Sequence, residues 1–163
     1  MKRITTLFLL VLFSMAYKAQ NNCELIKDTL TLPAEHKVVE GEYVQTTLKN
    51  LSVVTLFKTN DNKYYLKILI TEDFYFDKVG VLEIKSGSKS IYPKDIRQYK
   101  VNKTKGMYVI EIFKNYIFTL KEDGITSIVF NKAETDFTRQ DAEQIKKISK
   151  CLYETLFAKK NRL

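Results

Sequence analysis

Residues 51–70, LSVVTLFKTNDNKYYLKILI, decide the fold of this chain. Leu51–Phe57 and Tyr64–Ile70 are runs of β-branched and aromatic residues, the side chains that fit a pleated, half-buried surface. Between them Lys58-Thr59-Asn60-Asp61-Asn62-Lys63 is polar and rich in turn formers, so the stretch reads as a β-hairpin. Successive side chains of a strand point to opposite faces. Tyr64, Leu66, Ile68 and Ile70 therefore share one face, and Tyr65, Lys67 and Leu69 the other.

Working outward, the same texture recurs in both directions. Upstream, Thr29–Leu32 alternates as a strand and Pro33 stops it, and Val38–Leu48 reads as extended with a bend at Gly41. Downstream, Val79–Lys85 is a strand, Ser86-Gly87-Ser88 a turn, and Ser90–Tyr92 a short return before Pro93 opens a loop. Arg97–Val101 reads as an edge strand. Met107–Phe113 places Tyr108, Ile110 and Ile112 on one side with Glu111 opposite. Tyr116–Leu120 and Ile125–Phe130 read as a hairpin around Glu122-Asp123-Gly124. Several strands are apolar on both faces, so one face meets a helix and the other a second sheet, a curled barrel wall or a partner.

The chain ends differently. Thr138 and Asp141 fit a helix N-terminal capping pattern, in which hydroxyl and acid satisfy orphan amides. Ala142, Ile145, Ile148, Leu152 and Leu156 then recur at spacings of three and four, which predicts an amphipathic helix over about 138–160. Glu143 and Lys147 form a favourable pair one turn apart, and Lys159, Lys160 and Arg162 complement the negative helix end. The expected class is α+β: one antiparallel β-rich domain of six to eight strands, sandwich-like or a partly closed barrel, with the C-terminal amphipathic helix packed on it.

At the other end, Lys2 and Arg3 precede an apolar run from Leu7 to Met15 and then small and polar residues, the pattern of a signal peptide. Residues 1–19 are expected to be removed after Ala19, leaving 20–163 as a single domain. The apolar run falls short of the roughly 20 residues that span a bilayer, so the mature chain is expected to be exported, periplasmic or secreted, and not transmembrane. Losing Lys2, Arg3 and Lys18 takes the basic residues from 27 to 24 against 19 acids, a net charge of +5 in place of +8. The lysines are spread along the chain, which does not match the clustered footprint of a nucleic-acid binder.

Cys23 and Cys151 are the only cysteines. In an oxidising compartment two cysteines suggest a bridge, here tying the mature N-terminus to the terminal helix; the alternative is two separate thiols. Catalytic constellations are thin. His36, the single histidine, lies in a polar stretch, and none of Ser52, Ser86, Ser88, Ser90, Ser127 and Ser149 sits in a nucleophile-elbow sequence. No cofactor or metal site is expected: one His and two distant Cys lack zinc spacing, and Asp61, or Asp73 with Asp77, lacks the ligand pattern of a calcium loop. Glu72-Asp73-Phe74-Tyr75-Phe76-Asp77 mixes acids and aromatics, making Glu72, Asp73, Tyr75 and Asp77 candidates for sugar binding or glycosidase chemistry.

Size, leader, meander and terminal helix loosely resemble the exported lipocalin type of β-barrel. The Gly-x-Trp element of that family has no counterpart in a chain without Trp. The resemblance is therefore architectural, and what it implies is an apolar-ligand cavity. The leading expectation is an exported, non-enzymatic binding domain whose partner is a protein or a cell-envelope component. The alternatives are a carrier of a small apolar ligand in a barrel cavity and a carbohydrate-active enzyme using the carboxylates.

Overall fold

The structure is a computed structural model that describes residues 23–32, 37–49, 52–70, 81–93, 95–102, 105–131 and 133–158. The expected leader and cleavage point, His36, and the Glu72–Asp77 candidates lie outside the described residues. The first four strands are β1 (Ile26–Leu32), β2 (Lys37–Thr47), β3 (Val53–Thr59) and β4 (Tyr64–Ile70). There follow β5 (Leu82–Ser86), β6 (Lys89–Ile91), β7 (Asp95–Asn102), β8 (Lys105–Ile112) and helix α1 (Lys114–Asp123). β9 (Ser127–Phe130), β10 (Ala133–Asp136) and helix α2 (Arg139–Ala158) complete the order. All strand pairs are antiparallel, in a six-stranded sheet of order β1-β2-β3-β4-β8-β7 and a four-stranded sheet of order β10-β9-β5-β6. The described strands do not close into a barrel. The architecture is α+β, with ten strands among the described residues where the sequence predicts six to eight.

β4 lies inside the large sheet between β3 and β8, and its alternation is as expected. Tyr64, Leu66, Ile68 and Ile70 enter the main core with Val54 and Leu56 of β3 and Tyr108, Ile110 and Ile112 of β8. That inner face meets Leu82, Ile84, Ile128 and Phe130 of the small sheet, Ile117 and Leu120 of α1, and Ile145, Ile148 and Leu152 of α2. Tyr108 and Phe130 bring their rings to 4.6 Å across the layers. Each such side chain contributes roughly 1.5–3 kcal/mol by leaving water. The β3–β4 turn is held by main-chain bonding between Thr59 and Lys63 (2.9 Å) and by the Lys63 amide donating to the Thr59 hydroxyl (2.9 Å). Asn62 takes the left-handed conformation there (φ 63°), which Asn tolerates well.

The outer face carries its own cluster: Leu30, Leu32, Phe57, Tyr65 and Val109, flanked by Val39, Tyr43, Tyr99 and Met107. β2 pairs with β3 only from Gly41 onward, so its first residues overhang the sheet and pair with β1 alone. Leu30 and Leu32 are nonetheless buried in this cluster, so the overhanging hairpin folds over the outer face. Gly41 makes the bend possible. A Cβ there would stand 2.1 Å from the Lys58 carbonyl oxygen and 2.7 Å from the Phe57 ring.

One element differs in kind from the sequence reading. Residues Tyr116–Leu120, expected as a strand, lie within α1. The aromatic and β-branched content of Tyr-Ile-Phe-Thr-Leu favours a strand in isolation, but Ile117 and Leu120, one turn apart, are the residues α1 buries. Gly124, read as a hairpin turn, terminates the helix instead: its amide donates to the Leu120 carbonyl (2.9 Å) at φ 69°. It also admits α2, since a Cβ would lie 2.1 Å from the Ala142 carbonyl oxygen. β10, absent from the sequence reading, is a polar edge strand with alternately half-buried residues.

The C-terminal helix forms as expected. The Asp141 amide donates to the Thr138 hydroxyl (3.2 Å), and that hydroxyl donates to the Asp141 carboxylate (2.6 Å). The other carboxylate oxygen accepts the Lys49 amide (3.0 Å), so the cap also anchors α2 to the β2–β3 connection. Ala142, Ile145, Ile148 and Leu152 are buried along one stripe. Cys23 and Cys151 stand at disulfide-bonding distance, with their Cα atoms 5.3 Å apart. This fastens the first described residues to the flank of α2.

Candidate functional site

Three chain segments end close together at one end of the large sheet. Asn62, Lys63 and Tyr64 come from the β3–β4 turn. Glu111, Ile112, Phe113 and Lys114 form the β8–α1 junction, and Leu156 belongs to the last turn of α2. Together they border a cleft of about 690 Å³. Its walls combine two aromatic rings, two ammonium groups and one carboxylate.

From Lys114, which borders the cleft, α1 runs on toward Asp123. Ile117 and Leu120 take α1 inward, and Lys114, Phe118 and Lys121, at spacings of four and three, share one flank of it, where Phe118 and Lys121 meet Tyr153 of α2. Phe113 is 47% exposed and Phe118 46% exposed. Phe113 packs edge-on against Tyr116 (5.8 Å), and Phe118 against Tyr153 of α2 (6.0 Å). The Lys121 ammonium lies 4.6 Å from the Phe118 ring centre and 4.5 Å from that of Tyr153, a doubled cation–π contact. It also pairs with Glu122 at 2.9 Å, and that bond holds the Glu122 carboxyl below the usual carboxylate range.

Beneath the cleft the outer face of the sheet is polar where β4, β8 and β7 meet. Tyr65, Glu111 and Asp95 are direct cross-strand neighbours. Arg97 reaches over the Tyr65 ring (5.9 Å) and pairs with Asp95 (2.5 Å). Burial pushes the Tyr65 hydroxyl above its ordinary value; nearby Glu111 adds to this, and Arg97 opposes it. Burial likewise raises Tyr64. Asp61, on the turn, accepts a hydrogen bond from the Thr59 hydroxyl, which lowers its carboxyl.

Other residues singled out by the sequence have structural roles. The buried Ser86 hydroxyl donates to the Thr119 carbonyl (3.4 Å) and that of Ser149 to the Ile145 carbonyl (2.8 Å). Ser127 donates to Glu134 (2.6 Å), which also pairs with Lys85 (2.7 Å). Among the described residues, no three His, Cys, Asp or Glu side chains are grouped to hold a metal ion. The sequence reading did not single out Phe113, Lys114, Phe118 and Lys121, because a strand assignment sends 114 and 121 to opposite faces. Read with a helical period, positions 114, 118 and 121 form one stripe.

What the arrangement offers is contact: ring faces, aliphatic surface and fixed charges of both signs. No protein family, curated protein or solved structure matches this chain.

Proposed function

We propose that the mature chain is an exported binding domain, without chemistry of its own, whose partner is a protein or a cell-envelope component. The carrying observation is the pair of half-exposed rings at α1: Phe113, the N-cap, which borders the cleft with Lys114, and Phe118, which carries Lys121 over its ring. Fully burying a Phe is worth roughly 1.5–3 kcal/mol, so leaving two half exposed on one short helix forgoes about 2 kcal/mol that a partner could recover. Aromatic side chains combined with cations are what interface centres are enriched in. The leader supports export, and a cysteine pair at bonding distance is compatible with an oxidising destination. No described helix is long and apolar enough to cross a membrane.

The other two readings have less to rest on. An apolar-ligand carrier needs a closed wall that the described strands do not form. The carbohydrate-active reading rests on Glu72, Asp73 and Asp77, outside the described residues.

The test is capture. Residues 20–163, immobilised, are incubated with solubilised envelope from the native host, beside a Phe113→Ser/Phe118→Ser variant of equal thermal stability. A component retained by the natural protein and lost with the variant is the expected result. Equal retention by both proteins, or none by either, refutes the proposal.

A further inference from the structure

Among the described side chains of α2 the buried stripe ends at Leu152, while the helix runs on to Ala158. Helix ends leave backbone groups unpaired and open first, so this last stretch depends on what grips it. It carries side chains that shape the cleft and its flank. Tyr153 holds the Phe118 ring (6.0 Å) and the Lys121 ammonium (4.5 Å), and Leu156 borders the cleft itself.

Cys23 grips this stretch from outside. It is bridged to Cys151, and its Sγ also lies 3.3 Å from the Thr155 hydroxyl, one turn further along the helix. Thr155 donates in turn to the Cys151 carbonyl (3.0 Å), so one residue of the N-terminal segment touches two successive turns of α2. The other end of this short strap is fixed. Leu25 packs against the main core, and from Ile26 the chain is paired into the large sheet. Tyr153 and Leu156 lie within two residues of the gripped positions, so the strap holds them too. Cys23 is exposed, whereas Cys151 is half-buried on the helix flank.

We propose that the Cys23–Cys151 bridge is a thiol-operated clamp on the cleft. Closed, it holds the end of α2 as one wall. Opened by a low-molecular-weight thiol, it frees that wall and leaves the rest of the fold standing. The step is thiol–disulfide exchange, and access directs it to the exposed sulfur. The thiolate attacks Cys23 Sγ and forms a mixed disulfide as the Cys23–Cys151 bond breaks. The electron pair leaves on Cys151 Sγ, which takes a proton from water. A second thiol then displaces Cys23 from the mixed disulfide, so two small thiols are oxidised to one disulfide and two cysteines are reduced. Buried Ala142, Ile145 and Ile148 hold the earlier part of α2 without the bridge, which confines the release to its end. The device does not depend on what the cleft binds.

Two measurements on oxidised residues 20–163 test this. In the first, glutathione is added to the folded protein and the reaction is quenched with iodoacetamide. Reduction should proceed in proportion to glutathione concentration, unchanged by urea below the unfolding transition. Mass spectrometry should find glutathione on Cys23 at least tenfold more often than on Cys151. In the second, backbone NMR order parameters are compared before and after reduction with dithiothreitol. Residues 154–158 should fall from about 0.85 to below about 0.6, with 139–149 unchanged. The Cys23→Ser/Cys151→Ser variant should match the reduced protein without reductant and ignore dithiothreitol. Reduction that requires urea-induced opening, attack at Cys151 as often as at Cys23, unchanged order at 154–158, or loss of order through the whole of α2 overturns the proposal.

Discussion

Removing the link between Cys23 and Cys151 should be the most costly single change that leaves the core untouched. The two residues are 128 apart in sequence, so the bridge encloses most of the described residues. Loop closure restricts the unfolded state by an entropy that grows with the logarithm of loop length, and a loop of this size corresponds to about 5 kcal/mol at 25 °C. Domains of this size are typically stable by roughly 5–15 kcal/mol, so the loss is a large fraction of the total. Its origin lies in the unfolded chain. Cys23 is exposed, and α2 stays anchored by buried Ile145, Ile148 and Leu152. The Cys23→Ser/Cys151→Ser variant should therefore keep the native circular dichroism spectrum at low temperature. Urea titrations should give a lower midpoint, and a steeper slope because the unlinked chain exposes more surface on unfolding. The natural protein, denatured without reductant, should titrate no thiols. Two titratable thiols, or a stability loss below 1 kcal/mol with unchanged slope, would refute this reasoning.

Other consequences follow from single positions. Gly124→Ala places a methyl group 2.1 Å from the Ala142 carbonyl oxygen at φ 69°, so strain and overpacking together should cost about 3 kcal/mol or more in chemical denaturation. Gly41→Val should likewise drive the β1–β2 hairpin off the outer face, read as faster hydrogen exchange in residues 26–32 with the main core still protected. Asp141 gives a pH signature. Burial pushes its carboxyl up, but bonds from Thr138 and Lys49 more than offset this and leave it below its ordinary 3.8. A folded value below the unfolded one means full stabilisation above the unfolded pKa, lost as pH falls through the folded one. Asp141→Ala should cost about 1–2 kcal/mol at pH 7, and that cost should shrink as pH falls below the ordinary carboxylate value, with urea midpoints across the acid range as the check.

What the sequence disclosed and what it withheld follow from how each element buries itself. β4 was legible because it lies inside the sheet, and its Tyr64–Ile70 alternation reports two different faces, both filled. α2 was legible because a long apolar stripe and a Thr138–Asp141 cap agree. α1 was not. With only Ile117 and Leu120 buried, its helical period is short, and its aromatics bear the signature of a strand while serving a surface. β10 has no large apolar residue to announce it. The cleft was unreadable for a different reason: Lys63, Phe113 and Leu156 are distant in sequence and meet only because a turn, a strand end and a helix end share one edge of the fold.

Amide chemical-shift mapping tests the binding account most directly. Isotope-labelled residues 20–163 would be titrated with the solubilised envelope fraction that they retain. The account predicts saturable shifts confined to residues 62–64, 111–121 and 153–156, absent in the Phe113→Ser/Phe118→Ser variant. Shifts centred elsewhere on the fold, or none at saturating addition, would contradict it.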